Sequence, residues 1–204
     1  MHLTRLRLES RSAQARRDLS DAYQMHRTLA RAFVADASSP PDRFLWRLEA
    51  GGSDWSNPVV LVQSASPANW LALRELPNYL KGEPETRTFD SRQLVQAGAD
   101  YRFRLHANPT VTRNGKRYGL AAEDEQLAWL SRQGEKHGFE VHAALVSASD
   151  MAKMRKADRW MQVQRACFDG VLRVTDSASL AQAIESGIGP AKAFGCGLLS
   201  LARR

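Results

Sequence analysis

Cysteine is scarce in this sequence: Cys167 and Cys196 are the only two among 204 residues. Neither belongs to a Cys-x-x-Cys pair or to a Cys/His cluster at zinc-ligand spacing, which argues against a disulfide framework and a bound metal. Two isolated thiols in apolar strands read as core residues. Long apolar runs are also missing, and none approaches the ~18–20 residues of a membrane helix. The opening "MHLTRLRLES" alternates with charge instead of building a signal-peptide core, so a soluble, cytoplasmic protein without a membrane partner is expected. GxxxxGK followed by Ser or Thr is absent, which excludes a P-loop. Acidic residues are the minority charge, 22 Asp and Glu against 29 Lys and Arg, for a net +7. Such an excess favours polyanions, nucleic acid first and anionic membrane second. There is no long basic tail, so the charge must be laid out on a folded surface.

Hydrophobic patterning is plentiful and changes period along the chain. "HLTRLRLE" (2–9) alternates as a half-buried strand does, and residues 20–34 turn to helical period with Ser20 as the expected N-cap. Strands at 43–50 and 58–65, a short helix at 67–76 and a strand at 85–90 complete a β-α-β-β-α-β order. The order then recurs. A strictly alternating strand at 100–110 is followed by a hairpin at 111–119, turned at an Asn-Gly pair. A helix at 123–138 and a strand at 139–147 lead to a charged connection at 150–159. A long strand at 160–176, a helix at 177–187 capped by Ser177, and a strand at 195–202 finish the second set. The expected fold class is α+β: two tandem ferredoxin-like (βαββαβ, RRM-like) domains ending in a glycine-rich loop. Residues 1–90 form the first domain, 91–99 a linker and 100–204 the second. Two such sheets side by side would offer a basic cleft suited to single-stranded or hairpin RNA.

The loop "GIGPAKAFGCG" holds Gly187, Gly189, Gly195 and Gly197 with Lys192 among them. A helix precedes it, where a dinucleotide fingerprint requires a strand. Two readings remain: a helix C-cap followed by a tight turn, or a nest of backbone N–H groups that holds a phosphate with help from Lys192.

On a helical wheel, Ala22, Met25, Leu29 and Phe33 make the apolar stripe of the 20–34 helix. His26 falls on the shoulder of that stripe, Tyr23 lies one turn before it, and Arg27 and Arg31 take the wetter flank. By pattern alone His26 is either a half-buried packing residue or an acid–base group beside the core.

A resemblance bears on both the loop and the helix. "GIGPAKAFGCGLLSLA", "ARRDLSDAYQMHRTLARAF", "FLWRLEA", "VVLVQSASPANW", "YRFRLHANPT" and "VQRACFDGVLRVTD" follow one another from end to end of the chain. In that order they resemble the CasE family of repeat-associated RNA-binding proteins, the pre-crRNA endoribonucleases of the subtype I-E Cascade complex. The resemblance implies tandem ferredoxin-like domains. It also implies a metal-independent endoribonuclease that cleaves CRISPR repeat hairpins and retains the product within Cascade, with repeat RNA and other Cascade subunits as partners and no cofactor. The family's catalytic histidine and tyrosine fall on His26 and Tyr23.

Metal-free RNA cleavage uses the neighbouring 2′-OH as nucleophile and needs proton transfer and positive charge at the phosphorane. For the charge, the resemblance points to the basic stretch "KMRKADR". Arg159 is the first choice and Lys156 the second, with Lys153 and Arg155 as RNA contacts. Further RNA contacts are expected from Arg16, Arg17 and Arg27 around the helix, Arg102 and Arg104 on the strand, Arg113, Lys116 and Arg117 on the hairpin, and, as the resemblance implies, from Gly187, Gly189, Lys192, Gly195 and Gly197 in the glycine loop. The rival reading is a non-catalytic RNA-binding subunit of the same fold, although the RRM signature K/R-G-F/Y-G/A-F-V-x-F/Y is absent. A nucleotide-binding metabolic enzyme is the distant third.

Overall fold

The computed structural model describes residues 1–34, 39–49, 57–156 and 159–203, without the side chains of 154–156 and 159–160. The chain divides into two compact units. The first comprises Met1–Phe89 with Met154–Trp160 and Ala193–Gly195; the second comprises Asp90–Lys153, Met161–Lys192 and Cys196–Arg204.

In the first unit, strands β1 (His2–Arg7), β2 (Phe44–Leu48), β3 (Val59–Ser64) and β4 (Glu85–Thr88) form an antiparallel sheet of order β2-β3-β1-β4. Alternation does the work. Thr4, Leu6 and Leu8 turn to one face and are buried, while Arg5 and Arg7 point away and pair with Glu85 at 2.6 and 2.8 Å. The helical layer is α1 (Ala13–Ser20), α2 (Ala22–Ala30) with a 3-10 turn at Arg31–Phe33, and the short α3 (Leu71–Arg74). Leu6, Leu8, Met25, Leu29, Phe33, Phe44, Trp46, Val60, Val62 and Tyr79 share one core. Each large apolar side chain buried there contributes about 1.5–3 kcal/mol.

In the second unit, β5 (Asp100–Ala107), β8 (Phe139–Lys156), β9 (Arg159–Val174) and β10 (Leu199–Arg203) repeat the arrangement as β10-β5-β9-β8. Helices α5 (Glu123–His137) and α6 (Ser177–Ser186) cover it. The hairpin β6 (Thr110–Arg113) and β7 (Lys116–Gly119) stands as a two-stranded sheet. Among the described residues no helix is long and apolar enough to cross a membrane.

Several local expectations are corrected. Ser20 does not cap the helix that bears His26. It is the last residue of α1, and Asp21 is the cap. Asp21 is extended (φ −137°); its N–H donates to the Arg17 carbonyl, ending α1, and its carboxylate accepts the Tyr23 N–H at 2.8 Å, starting α2. Asp176, not Ser177, caps α6, by accepting the N–H groups of Ala178 and Ser179. In both cases the cap is a carboxylate on extended backbone, which accepts first-turn N–H groups and favours the positive end of the helix. The 67–76 helix shrinks to Leu71–Arg74. Residues 91–99 include a fourth short helix, α4 (Ser91–Leu94), and group with the second unit. The charged 150–159 stretch is no loose connection, because β8 runs on to Lys156 and β9 starts at Arg159.

Candidate active site

Asp21 determines where the chemistry of α2 begins. By ending one helix and capping the next, it places Tyr23 in the first turn of α2 and His26 one turn later. Met25 and Leu29 are 1% and 0% exposed, so α2 is anchored through its apolar stripe. Tyr23 and His26 are half-buried on its shoulder, and Arg27 is exposed. The His26 imidazole stacks on Phe44, with ring centroids 4.9 Å apart and planes 20° from parallel. Its Nδ1 is sealed from solvent and has no hydrogen-bond partner among the described residues. Burial lowers its pKa from the ordinary 6.5, which keeps the ring neutral near pH 7 and able to accept a proton. Phe44 lies outside the residues singled out from sequence. The available signal was that Phe44 and Trp46 share the inward face of an alternating strand.

Beneath α2 runs a buried polar network, also unforeseen from sequence. The fully buried Asp18 carboxylate accepts from Tyr79 Oη at 2.9 Å and from Gln14 Nε2 at 3.2 Å. Gln14 Nε2 also reaches Thr28 Oγ1 on α2 at 3.1 Å. Burial, and then the Asp18 charge, raise the Tyr79 pKa far above the ordinary phenol value. The Arg17 guanidinium neutralises Asp18 at 2.9 Å while remaining half exposed. Arg17 is therefore committed to structure as well as available to solvent. Arg16 is exposed and donates to the Arg11 carbonyl at 2.6 Å.

Of the basic stretch expected to steady the phosphorane, Lys153 is exposed. The side chains of Arg155, Lys156 and Arg159 lie outside the described residues. The Met154–Trp160 segment that carries them groups with the first unit, which is the unit holding His26.

In the second unit, Arg113, Lys116 and Arg117 are all exposed on the hairpin, as is Tyr118. Arg113 stands directly across from Lys116, and Thr112 across from Arg117. Like charges facing each other across strands cost stability, and an anion bound between them relieves that cost. On β5, Arg102 is exposed, whereas Arg104 is tied to Asp169 through two bonds of 2.7 and 3.2 Å.

The glycine loop is largely satisfied by its own backbone. Gly187, Gly189, Gly195 and Gly197 all have positive φ, from 77° to 95°. Gly187 N–H bonds Ala183, Ile188 N–H bonds Gly197, and Gly197 N–H bonds His106. Lys192 Nζ donates to the Gly189 carbonyl at 2.6 Å. A Cβ on Gly195 would stand 3.0 Å from the Trp46 indole, so the backbone lies against that ring. The glycines thus serve backbone geometry and close packing here. His137, at the C-terminal end of α5, has its pKa lowered by burial and then by Lys136 and Lys192.

Two sheets of identical strand order, each covered by helices, define a tandem ferredoxin-like protein, and its first helical layer carries the half-buried His26. The chain belongs to the CRISPR associated protein family, whose profile matches residues 1–203. It is 37% identical over 217 residues to the CRISPR-associated endoribonuclease Cse3 of Thermus thermophilus, covering 99% of this chain and 100% of that protein. It is 31% identical over 197 residues to the CRISPR system Cascade subunit CasE of Escherichia coli, covering 89% and 92%. The solved structure of CRISPR endoribonuclease Cse3 bound to a 19 nt RNA superimposes with a TM-score of 0.86 at 35% identity, covering 99% of this chain and 100% of the other.

Proposed function

We propose that this protein is a metal-independent endoribonuclease that cuts the CRISPR repeat hairpin of the precursor transcript and retains the product as a Cascade subunit in the cytoplasm. The reaction class is internal transesterification. The 2′-OH beside the scissile phosphate attacks phosphorus, the P–O5′ bond breaks, and the products carry a 2′,3′-cyclic phosphate and a 5′-hydroxyl. His26 carries the main proton transfer, between the 2′-OH or the leaving 5′-oxygen and the imidazole. Tyr23 orients the 2′-OH or a phosphate oxygen. Arg159, and after it Lys156, offset the charge of the phosphorane.

The observation that carries this reading is a half-buried imidazole, stacked on Phe44 and carried by the Tyr-x-x-His helix of a chain matched along 99% of its length to a named endoribonuclease. Arg16, Arg27, Arg102, Arg113, Lys116 and Arg117 supply exposed cations for the hairpin's phosphates. Arg17, Arg104 and Lys153 extend that surface, Arg155 is assigned to RNA contact from the family resemblance alone, and Lys192 lies in the glycine loop with Gly187, Gly189, Gly195 and Gly197.

The test is cleavage of repeat RNA in EDTA by the wild type and by His26→Ala. Cutting by the wild type, and its loss in the variant with binding retained, supports the nuclease. A wild type that binds the hairpin tightly and never cuts it establishes the non-catalytic RNA-binding subunit instead.

A further inference from the structure

Catalytic histidines are usually aimed by a hydrogen bond from the ring nitrogen that does not react, made to a carboxylate or a carbonyl. Among the described residues, His26 makes no such bond through Nδ1. Its Nδ1 is buried, and no acceptor or donor among the described residues reaches it. Something else must fix the plane of the ring.

The only ring contact described for the imidazole is Phe44, at 4.9 Å and 20°. Phe44 opens β2, is 8% exposed, and is held in register opposite Ser64 of β3. It is itself immobilised by other rings. Phe33 stacks on it at 4.5 Å and 10°, and Trp70 meets Phe33 edge-on at 5.8 Å and 83°. His26 therefore ends a file of aromatic rings rooted in the core.

We propose that Phe44 is the positioning residue for His26, taking by stacking the part that a carboxylate plays elsewhere. The inference rests on reading His26 as the acid–base group. Phe44, 8% exposed, would act through the imidazole and not on the substrate. Its flat ring restricts rotation of the imidazole about its last side-chain bond and so holds the reacting nitrogen on one line. Burial alone depresses the basicity of His26, with no charged group as a further cause. The neighbouring Arg27 on its own helix and Arg43 before β2 are both exposed. Loss of the Phe44 ring therefore admits water, and the imidazole midpoint rises toward 6.5.

The experiment compares Phe44→Leu, Phe44→Tyr and His26→Ala with the wild type. Three quantities are measured: single-turnover cleavage at saturating enzyme, affinity for a repeat hairpin lacking the scissile 2′-OH, and ¹⁵N-imidazole NMR of His26 against pH. In Phe44→Leu the cleavage rate should fall about 10- to 100-fold, as for a misplaced reacting group. Affinity should stay within a few-fold of wild type, and the His26 midpoint should move up. Phe44→Tyr, which keeps the ring, should recover most of the rate.

A wild-type rate in Phe44→Leu beside an inactive His26→Ala overturns the positioning role alone. Unimpaired cutting by His26→Ala overturns the acid–base reading itself. Equal loss of rate and affinity in Phe44→Leu, or no recovery in Phe44→Tyr, reduces Phe44 to a packing residue. Should Phe44→Leu fail to fold, Phe44→Met takes its place: the same loss of rate with affinity retained supports the proposal, and a wild-type rate refutes it.

Discussion

The two units share one strand order and carry opposite equipment. The first hides its special groups: His26 half-buried, Asp18 and Tyr79 fully buried, and the cations near them partly spent on neighbours. The second displays its own: Arg113, Lys116 and Arg117 on a hairpin with nearly every residue exposed. Shifting a pKa needs removal from water, whereas gripping a phosphate chain needs reach and exposure. A single small sheet serves both poorly. Two copies of one fold let each specialise, and the proposed function assigns proton transfer to the first and electrostatic capture to the second.

The division can be broken or sharpened by measurement. The largest effect is expected at His26. Replacing it by Ala should slow single-turnover cleavage about 100- to 10,000-fold, the usual worth of a general acid–base group, and leave the hairpin's Kd nearly unchanged. Next comes the second unit, where Arg113, Lys116 and Arg117 changed together to Ala should weaken RNA binding on the order of 10- to 100-fold near physiological salt. The slope of log affinity against log salt should shrink by roughly 2–3. Cleavage of bound RNA should continue at the wild-type rate, and a slower rate at saturation would break the division.

Tyr79→Phe removes the hydroxyl that Asp18 accepts from and should cost about 1.5–3 kcal/mol in urea unfolding. A change in the salt slope of binding would contradict its confinement to the first unit. The smallest effect is expected for Gly115→Ala. The Asn114-Gly115 turn holds φ at 50° and 72°, and Ala there should cost about 1 kcal/mol. Faster amide exchange in β6 and β7 and a slight loss of affinity should report it.

Much of the architecture was legible because strands announce themselves by alternation. Tyr101, Phe103 and Leu105 against Arg102, Arg104 and His106 leave little choice of face, and Asn-Gly gave the hairpin turn. Helix α1 was not legible, because its buried face consists of Ala15 and Asp18 and offers no hydrophobic period. The strands at 139–147 and 160–176 were read, but the continuation of β8 to Lys156 was missed, because Lys and Arg crowd that end and mask the alternation. Of the candidate site, the Tyr-x-x-His spacing and the hairpin's charge could be read directly. The stacking of Phe44 on His26 and the pairing of Arg104 with Asp169 could not. Both depend on register between strands or layers that are distant in sequence.

The sealed Nδ1 of His26 has a kinetic corollary. An imidazole open at both nitrogens can pass a proton through, loading at one side and discharging at the other. This one has a single doorway, so whatever enters at Nε2 must leave at Nε2. In the proposed reaction, a ring that serves as both base and acid must do so in turn at that one nitrogen, and a ring that serves in only one of those parts can be returned to its starting state only through that nitrogen.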